Sequence, residues 1–101
     1  MTTDRTSIDV RHNPVASRFE ATVDGLLCRA DYDLVAGVLR IHHTEVPFAL
    51  EGRGIAAAIV RAAFAHATAN GLKVEPRCSY VRAYMRRHPE TQTLLPGGFA
   101  L

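Results

Sequence analysis

Residues 44–72 read TEVPFALEGRGIAAAIVRAAFAHATANGL, and the way this stretch divides decides the fold. Its second half is the clearest helix in the chain. From Gly54 to Asn70, the residues Ile55, Ile59, Ala63, Phe64 and Ala67 fall on one face, alanine fills most of the rest, and Asn70-Gly71 supplies a left-handed stop. Glu51-Gly52-Arg53-Gly54-Ile55-Ala56 sets two glycines at the mouth of that helix. Such a mouth attracts anions, because the N–H groups of the first turn lack helical partners, the helix dipole adds positive potential, and glycine lets a phosphate approach the backbone. Arg53 adds a full charge. The turn is neither a P-loop, since no Gly-Lys-Ser/Thr follows, nor a dinucleotide fingerprint, since the third glycine and the downstream acid are missing. Read alone, the turn is equally compatible with a tight connection that binds nothing.

Working outward, the residues before the helix alternate. Phe19, Ala21 and Val23 against Glu20, Thr22 and Asp24 predict a strand, Asp24-Gly25 a hairpin turn, and Leu26, Cys28, Ala30 and Tyr32 the returning strand. A third strand is expected over Val38–Val46, ended by Pro47. After the helix, residues 73–77 fit a further strand, and Ser79 is expected to cap a second helix, Tyr80 to Arg87, stopped before Pro89. The expected order is β-β-β-α-β-α, an α+β architecture on a mixed sheet. Residues 1–14 are expected to be an irregular N-terminal segment and residues 15–101 one domain.

A chain of 101 residues, 48% hydrophobic and 22% charged, supports a single core and an open groove in preference to an enclosed site. Twelve Lys and Arg against ten Asp and Glu are spread along the chain, so a nucleic-acid partner is not indicated. Clusters at Arg82, Arg86 and Arg87 and around Arg53 suit a small polyanion better. Cys28 and Cys78 show no metal-binding spacing and no disulfide framework, so no metal is expected and a reducing cytoplasm fits best. No apolar stretch approaches membrane-spanning length, and no membrane partner is expected.

The run from Thr44 to Leu72, with Thr-Glu-Val-Pro, a short spacer, Gly-Arg-Gly-Ile-Ala and an amphipathic helix, resembles the acyl-CoA pyrophosphate motif of the GNAT superfamily of N-acetyltransferases. Pro76-Arg77-Cys78-Ser79-Tyr80-Val81, then Tyr84 and His88-Pro89, is similar to the small YjdJ-like subgroup. The resemblance implies a minimal GNAT-like acyl-CoA N-acyltransferase fold. It implies acetyl-CoA or CoA as cosubstrate, bound by Glu45, Val46, Gly52, Arg53, Gly54, Ile55, Ala56, Cys78, Tyr80 and Tyr84, and an unidentified amine as acceptor. Two departures stand out. The superfamily motif opens with Gln or Arg where this chain has Glu51, a loss of electrostatic help that Arg53 is expected to offset. Asp24-Gly25 also joins two strands directly where full GNAT domains insert helices that build the acceptor site.

The resemblance makes Glu45 and Cys78 the candidate catalytic residues. Glu45 serves as general base if partial burial raises its pKa; otherwise it is a solvated carboxylate at a strand end. His43, with the same strand parity, is a weaker candidate, and of the adjacent His42 and His43 one is expected to face the helices and the other the opposite side. Cys78, placed before a helix and beside Arg77, either accepts the acetyl group or packs against pantetheine, whereas mid-strand Cys28 is a core residue. Tyr80 and Tyr84 either donate a proton to departing CoA or pack on the first helix. Arg82, Arg86 and His88 either reach adenosine phosphates or form an exposed stripe. The expected function is transfer of acetyl from acetyl-CoA to an amine, in a monomer or weak homodimer; the alternative is a non-catalytic CoA-binding or interaction module.

Overall fold

The computed structural model describes residues 8–101. Alternation of apolar and polar residues produces four consecutive antiparallel strands, β1 (Arg11–Asn13), β2 (Arg18–Val23), β3 (Leu26–Val35) and β4 (Val38–Glu45). A 3-10 turn at Phe48–Leu50 leads to helix α1 (Ile55–Ala69), strand β5 (Lys73–Pro76), helix α2 (Ser79–Arg87) and a closing 3-10 segment at Pro89–Leu94. The sheet order is β1-β2-β3-β4-β5, and β5 lies parallel to β4, so the sheet is mixed as the sequence implied. Asp24 (φ 51°) and Gly25 (φ 76°) form a turn whose twist matches the strands it joins, which fixes Val23 opposite Leu26 and, as the sixth pair, Arg18 opposite Asp31.

Register then decides burial. Phe19 and Ala21 of β2, Cys28, Ala30 and Tyr32 of β3, Leu39 and Ile41 of β4 and Val74 of β5 all turn to one face and are buried. α1 covers that face with Ile55, Ile59, Val60, Ala63, Phe64 and Ala67, and α2 adds Val81, Tyr84 and Met85. Each buried Leu, Ile or Val contributes about 1.5–3 kcal/mol against solvent exposure, and the shared face makes these contributions mutually dependent. Cys28 sits in this core, fully buried. The opposite face carries ion pairs such as Arg18–Glu20, Arg29–Asp31 and Arg77–Glu75. At the end of α1, the N–H of Leu72 reaches the Ala67 carbonyl (2.8 Å) and that of Gly71 the Thr68 carbonyl (3.4 Å), the hydrogen-bond pair of a Schellman stop. Among the described residues no helix is long and apolar enough to cross a membrane.

Three features differ from the sequence-based expectation. The segment expected to be irregular contains β1, whose Arg11–Asn13 pair with Glu20–Arg18; residues 1–7 lie outside the described residues. Side-chain chemistry specifies this strand rather than alternation: the His12 ring stacks on Phe19 at 4.3 Å, and its Nε2 hydrogen-bonds the Tyr32 hydroxyl at 2.6 Å. α2 begins with Ser79 inside the helix, and the capping position is Cys78, in extended conformation. Finally, pairing steps from Asp31↔His43 to Tyr32↔Ile41, leaving His42 as the extra residue of a β-bulge. Leu39 and Ile41 face the core before the bulge, but His42 and His43 are both exposed, and Thr44 resumes the half-buried side. The expectation that His42 and His43 occupy opposite faces fails because simple alternation does not survive an inserted residue.

The His12 ring also lies 4.4 Å from that of His66 on α1. Burial, reinforced by His66, holds the His12 pKa below its ordinary value. A depressed histidine pKa means that the unfolded chain takes up a proton first as pH falls, so the stability present above about pH 6.5 is progressively lost below it. Melting temperature should therefore drop between about pH 7.5 and 5, before carboxylates titrate. His12→Phe, which keeps the stack on Phe19, should flatten that drop in a thermal-melt series.

Candidate functional site

The site begins where β4 and β5 part. Their parallel pairing ends at Ile41↔Pro76, and the Ile41 carbonyl then accepts both the Arg77 N–H (2.9 Å) and the Cys78 N–H (3.1 Å). β4 continues to Glu45, held on one side by β3 through Ala30↔Thr44 and Arg29↔Glu45, but β5 no longer covers its other edge. A cleft of about 450 Å³ opens there, lined by Thr44, Glu45 and Val46 on one side, Leu50 and residues of the Glu51 to Ala57 turn along its length, and Tyr80 from α2.

The turn into α1 has the form its glycines imply. Gly52 (φ 83°) and Gly54 (φ 76°) take conformations that penalise side chains, and no protein atom lies within 4 Å of where either Cβ would stand. Gly54 caps α1 without a side chain, and the first helical hydrogen bond runs from the Ala58 N–H to the Gly54 carbonyl at 3.1 Å. The N–H groups of Ile55, Ala56 and Ala57 therefore have no helical partners, and the first turn contains no acid. Leu50, buried beneath the cleft and tied by its N–H to the Pro47 carbonyl at 2.9 Å, fixes the approach to this turn.

Of the residues singled out in the sequence, Glu45, Val46, Gly52, Gly54, Ile55, Ala56 and Tyr80 line this one cleft. Cys78 lies just behind its wall, with Sγ 3.4 Å from Thr44 Oγ1. Two do not belong. Arg53 turns away to the β2–β3 hairpin, where its Nη1 donates to Asp24 Oδ2 at 2.8 Å, so it does not offset Glu51, which lines the cleft. Tyr84 is buried, edge-on to Phe64 at 5.7 Å and stacked on His88 at 4.2 Å; it packs the helices together and does not line the cleft. Arg82 is likewise committed, with Nε donating to the Pro76 carbonyl at 2.9 Å and the guanidinium over the Phe99 ring. Sequence reasoning missed Thr44, Leu50 and Ala57 as lining residues. Thr44 could not be assigned because the bulge that turns it inward has no sequence signature here.

Electrostatics separate the two candidate catalytic groups. The Glu45 side chain is 51% exposed, and the His43 hydrogen bond at 3.1 Å, with Arg29 3.3 Å away, holds its carboxyl below the ordinary carboxylate value. The sequence-based expectation required burial to raise that pKa; at this exposed strand end the shift runs the other way. Cys78 is a half-buried free thiol. Burial pushes its pKa up, but the Thr44 hydroxyl and the N–H groups of Val81, Tyr80 and Thr44 outweigh burial and bring it below the ordinary thiol value. Two of these amides belong to the first turn of α2 and the third to β4, so the thiol sits where both elements turn N–H groups toward it. Cys28, by contrast, is pushed up by burial. The site thus offers unpaired amides for an anion, a free strand edge for an amide-bearing chain, and a thiol disposed to ionise. Among the described residues no group of three potential metal ligands comes together.

Comparison with known proteins gives a consistent result. A family model described as GCN5-related N-acetyl-transferase matches residues 18–94. The chain is 34% identical over 91 residues to protein NATD1 of Xenopus tropicalis, covering 87% of this chain and 84% of that protein. It is 33% identical over 90 residues to NATD1 of Homo sapiens, covering 86% and 80%. The solution structure of a GCN5-like protein from Staphylococcus aureus superposes with a TM-score of 0.71 over 89% of each chain at 24% identity, a likeness of fold.

The thiol electrostatics can be read directly. In the native protein near neutral pH, iodoacetamide should alkylate Cys78 and spare Cys28, and Thr44→Val should slow Cys78 alkylation several-fold without changing the melting curve. Equal labelling of both cysteines, followed by peptide mass mapping, would contradict the assignment.

Proposed function

The chain belongs to the GCN5-related N-acetyltransferase family, and from that premise we propose that it binds acetyl-CoA in the cleft between β4 and α2 and transfers the acetyl group to an amine. One observation carries the reading. The partnerless amides of the first turn of α1 and the uncovered edge of β4 line one continuous cleft. The amides suit a diphosphate, and the strand edge suits the amide-bearing pantetheine arm, which would lie beside it as an added strand. Open space at the Gly52 and Gly54 Cβ positions leaves room for the phosphates. Both cysteines are free thiols, in keeping with a reducing compartment such as the cytoplasm.

Acetyl-CoA, as substrate, brings an acyl group already activated as a thioester. In the proposed route the Cys78 thiolate attacks the thioester carbonyl carbon, the bond from that carbon to the CoA sulfur breaks, and CoA departs and takes a proton. The acceptor amine then attacks the cysteine thioester, the carbon–sulfur bond to Cys78 breaks, and the amine proton passes to water. The lowered thiol pKa supports the first step. Tyr80 lines the cleft, and burial pushes its phenol pKa up, so it stays protonated and able to donate to the leaving sulfur. Glu45, kept ionised by His43 and Arg29, is better suited to attracting a cationic amine than to deprotonating one. A CoA-binding module without turnover is the second reading, favoured by the Asp24-Gly25 turn, which joins β2 and β3 directly and inserts no helix between them to build an acceptor site.

Incubation with acetyl-CoA and a panel of amines, following CoA release, separates the two. Transfer predicts turnover with at least one amine and, without acceptor, an acetyl adduct on Cys78 by intact mass. Cys78→Ala should lower kcat by about 10²-fold or more with little change in CoA affinity. Full activity of that variant rules out the covalent route, and binding without turnover across the panel supports the module. Gly54→Val should weaken CoA binding about tenfold or more by placing a branched side chain in the phosphates' path, and its positive φ should cost about 1–2 kcal/mol of stability.

A further inference from the structure

One cluster at the edge of the cleft takes no part in the transfer steps beyond its carboxylate. His43 Nε2 lies 3.1 Å from Oε1 of cleft-lining Glu45, and the Arg29 guanidinium reaches the same oxygen from β3 at 3.3 Å. Arg29 also donates from Nε to Asp31 Oδ2 at 3.1 Å, and Asp31 is the strand partner of His43. A carboxylate that stays ionised only accepts, so Nε2 carries the proton of the His43–Glu45 hydrogen bond and Nδ1 keeps its lone pair. Among the described residues neither His43 Nδ1 nor Glu45 Oε2 has a hydrogen-bond or ion-pair partner.

Cys78 is fastened to β4 at both ends of the short segment that contains His43. Its N–H donates to the Ile41 carbonyl at 3.1 Å, and its Sγ lies 3.4 Å from Thr44 Oγ1. The bulge at His42 assigns the sides: Thr44 turns half-buried toward the thiol, while His43 and Glu45 share the exposed side. β5 has left this edge after Ile41↔Pro76, so no neighbouring strand covers β4 there. The charged groups that face His43 are therefore Glu45 from its own strand and Asp31 and Arg29 from β3; Arg77, beyond β5, is held by Glu75 at 2.7 Å, and His42 lies 3.8 Å from Asp33. An amine approaching Cys78 from the exposed side of β4 meets a free carboxylate oxygen and a free imidazole nitrogen next to the segment that holds the sulfur.

We propose that His43 is the proton acceptor for the incoming amine, with Glu45 orienting its ring through Nε2 and docking the ammonium form of the amine on Oε2. This rests on the acetyl-transfer reading above. The docked ammonium first gives one proton to water. As the amine nitrogen bonds to the acyl carbon on Cys78, a second proton passes to His43 Nδ1, the carbon–sulfur bond breaks, and its electron pair returns to Cys78 as thiolate. The imidazolium, balanced by Glu45, then releases its proton to water.

Steady-state transfer from acetyl-CoA to the panel amines, measured on the full chain, tests it. In His43→Gln the side-chain amide N–H takes the place of Nε2–H, which keeps the bond to Glu45 and removes the proton acceptor. That variant should lower kcat/KM for the amine about 10²-fold, with CoA affinity and melting temperature unchanged. It should also lose the limb of the pH profile that rises through the histidine range. Two amines of well-separated pKa identify that limb, which stays fixed in the native protein when His43 is its source. His43→Ala should regain part of its rate with added imidazole, a rescue that loss of a merely structural side chain would not show. Unchanged kcat/KM in His43→Gln, or a limb that moves with the pKa of the amine and survives the substitution, overturns the role of His43 and leaves acetyl transfer intact. Absence of turnover by the native protein with any amine overturns the transfer reading and this role with it.

Discussion

The Ile41 carbonyl is the point on which the structure depends. By accepting the amides of both Arg77 and Cys78, it closes the parallel ladder, turns the chain off β5 and places Cys78 at the start of α2. The bulge at His42 follows immediately on the same strand, so β4 changes parity at the point where β5 leaves it. Both events are needed. Without the parting no strand edge would be free, and without the bulge Thr44 would point away from Cys78. The cleft is therefore a consequence of how two strands separate, and the residues around it are placed by backbone pairing before any side-chain interaction is considered.

Much of the fold was legible because it depends on local patterns. The alternation around Phe19 and Cys28, the Asp24-Gly25 turn and the alanine-rich amphipathic run each report one element, and the structure contains all three. The glycine turn was legible for the same reason, since positive φ and partnerless amides are properties of the segment itself. What escaped was determined at a distance. β1 exists because His12 finds Phe19 and Tyr32, residues seven and twenty positions away, and three polar residues carry no periodic signal. The parity of Thr44 depends on a bulge opposite β3, and Arg53 depends on an aspartate in another hairpin. Tyr84 showed the correct helical spacing but lies nearer the core than its neighbour Tyr80, a difference set by where Phe64 sits.

Charge is partitioned between the layers in a way the overall balance conceals. The exposed sheet face compensates itself, with acids and bases paired along β2 and β3 and across β3–β4 and β4–β5. The two helices contain no carboxylate, and among the described residues their arginines form no ion pair. A net charge of +2 thus describes a molecule with a neutral side and a strongly basic one. Fields of this kind raise the encounter rate of small anions.

The uncovered edge of β4 would tie the lifetime of the chain to any ligand that pairs with it. A domain of this size has a net stability of only about 5–15 kcal/mol, and a ligand present at a hundred times its dissociation constant adds about 2.7 kcal/mol. A molecule that completes the sheet at that edge would shield backbone amides from exchange and lower the fraction of chains open to proteases. Abundance of the protein would then track the supply of the compound it binds, with no dedicated regulatory element.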